Sequence, residues 1–447
     1  MQEFFATTAK GMEALLFTEL SRIPGVVEPR ETRAGVYFKG ELEAAYRVCL
    51  WSRIANRVLM PLKTFSAPTP EKLYGGVKSI KWSDHLSPRQ TIAVDYAISK
   101  PGGRLDPASL TGIHHTHFSA LKVKDAICDQ LRSVTGERPS VDQVRPDVRI
   151  NVYVAVKASD PGDARASAGP APRRRQGAAP GLGARSAPAP APQARAAAAS
   201  PPEAEATVSI DLSGNSLHQR GYRLDGALAP LKENLAAAML MLAGWPELAR
   251  EAGSEAALVD PMCGSGTLPI EAAAMAANRA PGIGREHYGF TGWLGHVPAK
   301  WNRLLEEARD AEIRDRKKIA RTVGYDRDGR AVSTAMANLE RAKFASGAVH
   351  FEKREMERAE PIAPRGVIIA NPPYGERLGE EEELKPLYRA LGDLFKKKFS
   401  SWDAFVFTAN PELAKSVGLK ASRRHVLFNG ALECRLLHYP VWTGSAG

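Results

Sequence analysis

Asn371-Pro372-Pro373-Tyr374 follows the apolar run Gly366-Val-Ile-Ile-Ala, and its residue types suit the holding of an amino group. A carboxamide oxygen and carbonyls fixed by proline can accept both hydrogens of an amine, while Tyr374 offers a ring on which a flat base stacks. The nitrogen lone pair is then left to attack a methyl group. An Asx turn at a strand end accounts equally well for these four residues taken alone.

A second stretch, Asp260-Pro261-Met262-Cys263-Gly264-Ser265-Gly266-Thr267, separates a short apolar run from a helical pattern. Glycines there let the backbone approach a ligand, and free N–H groups at the helix start favour an anion. The loop has neither the third glycine of a dinucleotide fingerprint nor a Gly-Lys-Ser/Thr, which disfavours NAD and ATP. The carboxylate of a methionine moiety is an alternative anion. Asp326, with Arg327 beside it, closes the next strand, where an acidic residue binds ribose hydroxyls. Glu355, followed by Met356, stands after the third strand and is the candidate for an adenine amine; a solvated Glu in a charged run is the competing account. Asn371 belongs to this candidate cofactor set as well as to the catalytic one. No metal is expected, because Cys49, Cys128, Cys263 and Cys434 have no paired ligand spacing.

These residues need strand ends to hold them. Gly366–Ala370 is β-branched without polar alternation, as in a strand covered on both faces, and two prolines stop its ladder. Strands are expected at 258–260, 322–326, 349–351, 367–370 and 402–408, alternating with helices at 268–278, 331–343, 384–397 and 411–417, with closing strands at 424–428 and 432–439. That alternation predicts a doubly wound parallel sheet. Residues 279–321 interpose Trp293, Trp301 and a charged helix, read as an insertion over the site.

The N-terminal part reads differently. Strands at 4–7 and 35–40, helices at 10–20 and 42–51, and a strand from Val58 that Pro61 keeps short or at an edge form a small α+β unit. Beyond it come a strand at 91–96, a helix at 121–132 and a strand at 149–156. Residues 158–205 have no aromatic side chain and no Ile, Val or Met, so they cannot bury a core and are expected to be disordered. The strand at 207–212 then pairs with 149–156 as a hairpin whose turn has been inflated, at little cost in loop-closure entropy.

The 447-residue chain is 44% hydrophobic and 25% charged, with a formal net charge of +11. Residues 1–157 hold 22 Lys and Arg against 16 Asp and Glu, whereas residues 206–447 hold 33 against 30. The excess is denser at the N-terminal end, as in a module that binds an anion. Lys122, Lys124, Arg132, Arg138, Arg145 and Arg149 are candidates for a phosphate-contacting face, against the plainer account of exposed helix lysines. No apolar run suits a membrane span and no signal core opens the chain, so a cytoplasmic location is expected.

Asp-Pro-x-Cys-Gly-Ser-Gly-Thr, then Gly-x-Asp, then Asn-Pro-Pro-Tyr, each at a strand end in this order, resembles the class I S-adenosylmethionine-dependent methyltransferases that act on exocyclic amines. The runs 371–379, 212–223 and 230–235 resemble the THUMP-containing guanine methyltransferases of RNA, particularly those that modify the 2-amino group of a guanine in 23S ribosomal RNA. The resemblance implies an α/β Rossmann-like methyltransferase domain at 214–447. In front of it stand a ferredoxin-like unit at 1–64 and a THUMP RNA-binding domain at 65–213, interrupted at 158–205. It also implies that Asn371 and the carbonyl held by Pro372 orient the amine of a flipped base, without a strong base or a metal. Glu355 departs from the usual Asp, and the chain ends soon after its last strand, so one activity is expected. The same residues admit a transfer RNA guanine enzyme, a DNA adenine enzyme, or an RNA-binding assembly factor with a vestigial cofactor pocket.

Overall fold

The computed structural model describes residues 1–99, 112–156, 203–223, 231–344, 347, 349–375 and 380–441. The disorder expected at 158–205 and the run 376–379 therefore lie outside the described residues, except for 203–205. There the chain is already ordered, because the strand expected from 207 begins at Ala204.

The chain forms two compact units, one of residues 1–61, 145–149 and 210–447, the other of 62–144 and 150–209. The first opens with β1 (Gln2–Thr7), α1 (Glu13–Leu20), β2 (Val27–Thr32), β3 (Gly35–Gly40), α2 (Leu42–Trp51) and β4 (Arg57–Ser66), whose strands lie in the order β2-β3-β1-β4. Phe4, Phe38, Leu16 and Leu20 are fully buried between sheet and helices. β4 is longer than expected and is no edge. It pairs with β1 only through Arg57–Leu59, so the missing N–H of Pro61 falls beyond that ladder. On its other side Val58 donates to Ser213 Oγ and accepts from the Leu212 N–H.

The second unit contains α3 (Pro70–Lys78), β5 (Thr91–Ile98), α4 (Thr116–Thr135), β6 (Ser140–Val141), β7 (Val148–Val156) and most of β8 (Ala204–Asp211), with strand order β8-β7-β5-β6. β7 and β8 are neighbours, as the interrupted-hairpin reading requires. Their alternate residues Ile150, Val152, Val154, Ala206 and Val208 are all buried.

The rest of the first unit alternates strand and helix: α5 (Glu233–Leu242), α6 (Trp245–Ala252), β9 (Ala256–Asp260), α7 (Thr267–Ala276), α8 (Pro298–Asp310), β10 (Arg321–Asp326), α9 (Gly329–Ala342), β11 (Val349–Lys353), β12 (Arg365–Ala370), α10 (Glu380–Lys398), β13 (Asp403–Thr408), α11 (Pro411–Ser416), β14 (Arg423–Asn429) and β15 (Leu432–Pro440). The order is β11-β10-β9-β12-β13-β15-β14, parallel as far as β13 and closed by two antiparallel strands. This is the α/β architecture of the class I methyltransferases. β12 occupies the middle of the order, which is why its Gly366–Ala370 run is entirely buried.

The 279–321 segment corrects the reading of an insertion over the site: it packs on α2. Trp301, Tyr288 and Phe290 are aromatic side chains that need an apolar partner, and Tyr46 supplies one with ring centroids 5.8 and 4.5 Å from Trp301 and Phe290. The Val297 N–H donates to Tyr46 Oη at 3.0 Å, and Arg47 pairs with Glu307 at 2.9 Å. Among the described residues no helix is long and apolar enough to cross a membrane.

Candidate functional site

Register sets three strand ends side by side. Gly324 is paired with Asp260, and Ile368 with Val259, so Asp326 and Asn371 both stand level with Met262, two residues past the end of β9. Strands in a sheet are about 4.8 Å apart, which puts Asp326 and Asn371 roughly 10 Å from each other across the glycine loop. The apolar runs of β9, β10 and β12 therefore do the positioning, and their polar terminal residues crowd one sheet edge.

The loop is built from both its glycines and its neighbours. Gly264 and Gly266 have φ values of +52° and +81°, a region costly for other residues. A Cβ on Gly266 would also lie 2.6 Å from Phe351 Cζ, whereas one on Gly264 would meet nothing within 4 Å. The loop is thus closely packed on its inner side and open over Gly264. Asp326 accepts from the Gly264 N–H at 2.9 Å, the Cys263 N–H donates to the Tyr325 carbonyl at 2.8 Å, and Asn338 Nδ2 donates to the Ser265 carbonyl at 2.8 Å. Asn338 was not legible as a loop brace from sequence, because nothing in a helical pattern distinguishes it from other polar positions.

Several side chains of the candidate cofactor set face inward. Cys263 packs with Ile270, Val332 and Phe351, and Met356 is 5% exposed in the core with Val259, Tyr325 and Ile368. These two side chains contribute packing. Pro261, Gly266 and Thr267 are buried, and Ser265 is half-buried. Arg327 and Glu355 line one open pocket with Glu352 and Lys353 at the end of β11. Open space over Gly264, a carboxylate at the end of β10 and a left-handed turn into α7 suit a ligand with an anionic end and a sugar.

Asp260 is 1% exposed and accepts from the Met262 N–H at 3.1 Å. Burial, with the Asp326 charge adding to it, pushes its carboxyl up to about 8. An acid whose folded pKa exceeds its unfolded value stabilises the fold fully below pH 4 and loses that contribution as pH rises through 8. The free protein is therefore expected to melt earlier at pH 9 than at pH 6 by roughly 3 kcal/mol of lost stability. Asp260→Asn should flatten this profile, and parallel melting curves for the two proteins would rule the assignment out.

At the end of β12, Tyr374 Oη donates to Asn371 Oδ1 at 2.5 Å, and the Tyr374 ring meets Phe407 edge-on with centroids 6.2 Å apart. Pro372 is buried and Pro373 exposed. Tyr388, buried on α10, donates to the Pro373 carbonyl at 3.1 Å and bonds Thr408 Oγ1 at 2.9 Å. Turn geometry is thus held from below by a residue the sequence reading did not single out. The Asn371 oxygen accepts from the turn's own Tyr hydroxyl, and its second lone pair is left for an incoming amine.

The six basic candidates are divided between the two units. Lys122, Lys124, Arg132 and Arg138 belong to the second unit, Arg145 and Arg149 to the first. At about 100° per residue Lys122 and Lys124 point roughly 200° apart around α4. Lys122 lies over the Phe118 ring, Lys124 pairs with Asp125 at 2.8 Å, and Arg132 is 3.8 Å from Asp129. All four cysteines are buried free thiols.

Three family models match in chain order: an RlmL ferredoxin-like domain at 3–59, a THUMP domain at 67–157 and an RMKL-like methyltransferase domain at 220–438. The chain therefore combines a THUMP domain with an RMKL-like methyltransferase domain. It is 44% identical over 445 residues to the ribosomal RNA large subunit methyltransferase K/L of Syntrophotalea carbinolica, a match that covers 98% of this chain and 53% of that protein. The namesake from Methylococcus capsulatus is 43% identical over 440 residues, 98% of this chain and 51% of that protein. The chain thus spans about half the length of the curated relatives it matches. SMU.472, described as a methyltransferase and solved in complex with SAH, superposes with a TM-score of 0.75 at 26% identity, covering 99% of both chains.

Proposed function

We propose that this chain transfers a methyl group from S-adenosylmethionine to the 2-amino group of a guanine in 23S ribosomal RNA, in the cytoplasm. The observation that carries the reading is the Asn371 carboxamide at the end of β12, level with the glycine loop and roughly 10 Å from Asp326. S-adenosylmethionine supplies an electrophilic methyl group. Asp260, Gly264, Ser265, Gly266, Thr267, Asp326, Arg327 and Glu355 would hold it, and the relative solved with SAH together with the open space over Gly264 supports that choice.

Asn371 Oδ1 accepts one hydrogen of the amine and the Pro372 carbonyl the other, which orients the nitrogen lone pair. Tyr374 exchanges its bond to Asn371 for contact with the base, which must leave its stack to present its amine to the turn. No side chain needs to act as a strong base, because the proton can leave to water once nitrogen has become cationic. Residues 1–64 would form the ferredoxin-like unit, 65–213 the THUMP domain that captures RNA with Lys122, Arg132 and their basic neighbours, and 214–447 the catalytic domain. The curated relatives' name, which specifies the large ribosomal subunit, favours 23S over transfer RNA.

Mass mapping of nucleosides in large-subunit and transfer RNA, from cells with and without the gene, tests the substrate. Loss of one 2-methylguanosine from 23S RNA is expected, and its loss from transfer RNA instead would redirect the reading. Calorimetry with S-adenosylmethionine separates any enzyme from an assembly factor, for which no binding is expected.

A further inference from the structure

The methyltransferase sheet is asymmetric about β12. Every candidate cofactor residue before Asn371 ends or follows β9, β10 or β11, which lie on one side of it, whereas β13, β15 and β14 lie on the other. On that second side a groove of ≈ 340 Å³ runs between α11, the chain after it and the face of the closing hairpin. Lys415, Lys420, Arg424 and Arg435 line it, and Glu412 is the one carboxylate among its lining residues. Glu412 engages Lys415 at 2.7 Å.

Register connects this groove to the amine-holding turn. Ala370 is paired with Val406, so Pro372 stands level with Thr408, and Thr408 is paired with Arg435. Arg435 therefore shares the carboxyl edge with Asn371, two strands away or roughly 10 Å. Thr408 lines the groove, and its hydroxyl is bonded to the same Tyr388 that holds the Pro373 carbonyl. Arg424 and Lys420 are exposed farther along. Ten ångströms is about the reach from a base to the phosphates that flank its nucleotide, and a row of cations with apolar Leu437 and Tyr439 beneath them suits a backbone track.

We infer that this groove grips the RNA phosphodiester backbone beside the target nucleotide, so that the catalytic domain itself holds the strand whose base enters the Asn371 turn. The inference rests on the RNA reading above. It assigns backbone contacts to Lys420, Arg424 and Arg435, independent of any contacts made by the second unit.

The test uses the full chain and an unmodified large-subunit ribosomal RNA transcript. Lys420→Glu/Arg424→Glu changes two exposed side chains, and Lys420→Gln/Arg424→Gln removes the charges without reversing them. Affinity for the transcript should fall about tenfold or more in the double-Glu protein. The slope of log affinity against log salt should become shallower by about 1.5 in the double-Gln protein, near 0.7–0.9 per lost phosphate contact. Methylation should show a raised KM for RNA with kcat at saturation retained, and S-adenosylmethionine affinity unchanged. Wild-type RNA affinity and salt slope in both variants would overturn the inference, as would a loss of RNA affinity matched by a loss of cofactor affinity. If the unaltered protein methylates no transcript, the proposed reaction fails, and the binding data alone still decide the groove.

Discussion

Asn371→Ala is expected to lower kcat by about a hundred- to a thousandfold while calorimetry finds S-adenosylmethionine affinity within about twofold of the parent, the size of loss seen when one positioned polar group is removed from a reacting centre. The physical reason is the electronic state of the substrate. The lone pair of an exocyclic amine on a base is delocalised into the ring, and it becomes nucleophilic only as the nitrogen turns pyramidal. Acceptors fixed on both hydrogens favour that geometry and stabilise the positive charge that grows on the nitrogen. Asn371 Oδ1 is the proposed acceptor, and it already accepts from the Tyr374 hydroxyl at 2.5 Å. Alanine leaves the backbone carbonyl and the prolines in place, so the turn persists and only the side-chain acceptor is lost. The split between kcat and cofactor affinity is the decisive reading. Retained turnover would refute the role, and a parallel loss of cofactor affinity would show that Asn371 acts on the cofactor rather than on the amine.

The fold was legible wherever pattern and local chemistry agreed. β12 announced itself because a β-branched run with no alternation has few other homes, and the two prolines fixed where it stops. α2 was read at its full extent, Leu42–Trp51, because its apolar residues follow one face. The parallel order of strands followed from their alternation with helices. Contacts between residues far apart in sequence were not legible. Pro61 suggested an edge strand, yet the ladder that a proline interrupts depends on which neighbour pairs at that residue, and the β1 ladder has already ended there. Trp293 and Trp301 suggested a cover over the site, because nothing in the 279–321 stretch names α2 as its partner. That Asp326 and Gly264 lie together at one sheet edge could be read from motif order alone, whereas Tyr388 and Asn338 act through hydrogen bonds from helices and leave no spacing signature. The basic residues of α4 illustrate the limit of composition. Their number was visible, but the face each occupies and the carboxylate beside it were not.

Glu271→Ala is expected to cost about 3–5 kcal/mol of folding stability, a large share of a typical domain's total. Glu271 lies on α7, the helix that begins at the glycine loop, and is 2% exposed. It accepts from Tyr222 Oη at 3.0 Å, while Arg53 Nη1 lies 4.0 Å and Arg220 Nε 3.8 Å from its carboxylate. Both arginines are also committed elsewhere: Arg53 to the Arg279 carbonyl at 2.6 Å, Arg220 to the Arg53 carbonyl at 2.7 Å. Neither guanidinium can swing to solvent when its carboxylate is removed, so two buried cations would face each other across a cavity of ≈ 40 Å³. Burial already draws the Arg53 pKa down, and Glu271 is the strongest influence opposing that shift. Glu271→Gln keeps an acceptor for Tyr222 but loses the charge, and should fall between the parent and the alanine protein. Urea melts of the three proteins at one pH give the comparison, and an alanine variant within 1 kcal/mol of the parent would sink the argument. Because Arg53 comes from the N-terminal segment and Glu271 from the loop-bearing helix, the same ion cluster ties residues 1–61 to the glycine loop. A stable Glu271→Gln protein with weakened S-adenosylmethionine binding would show that the tie sets the loop's position as well as the fold's stability.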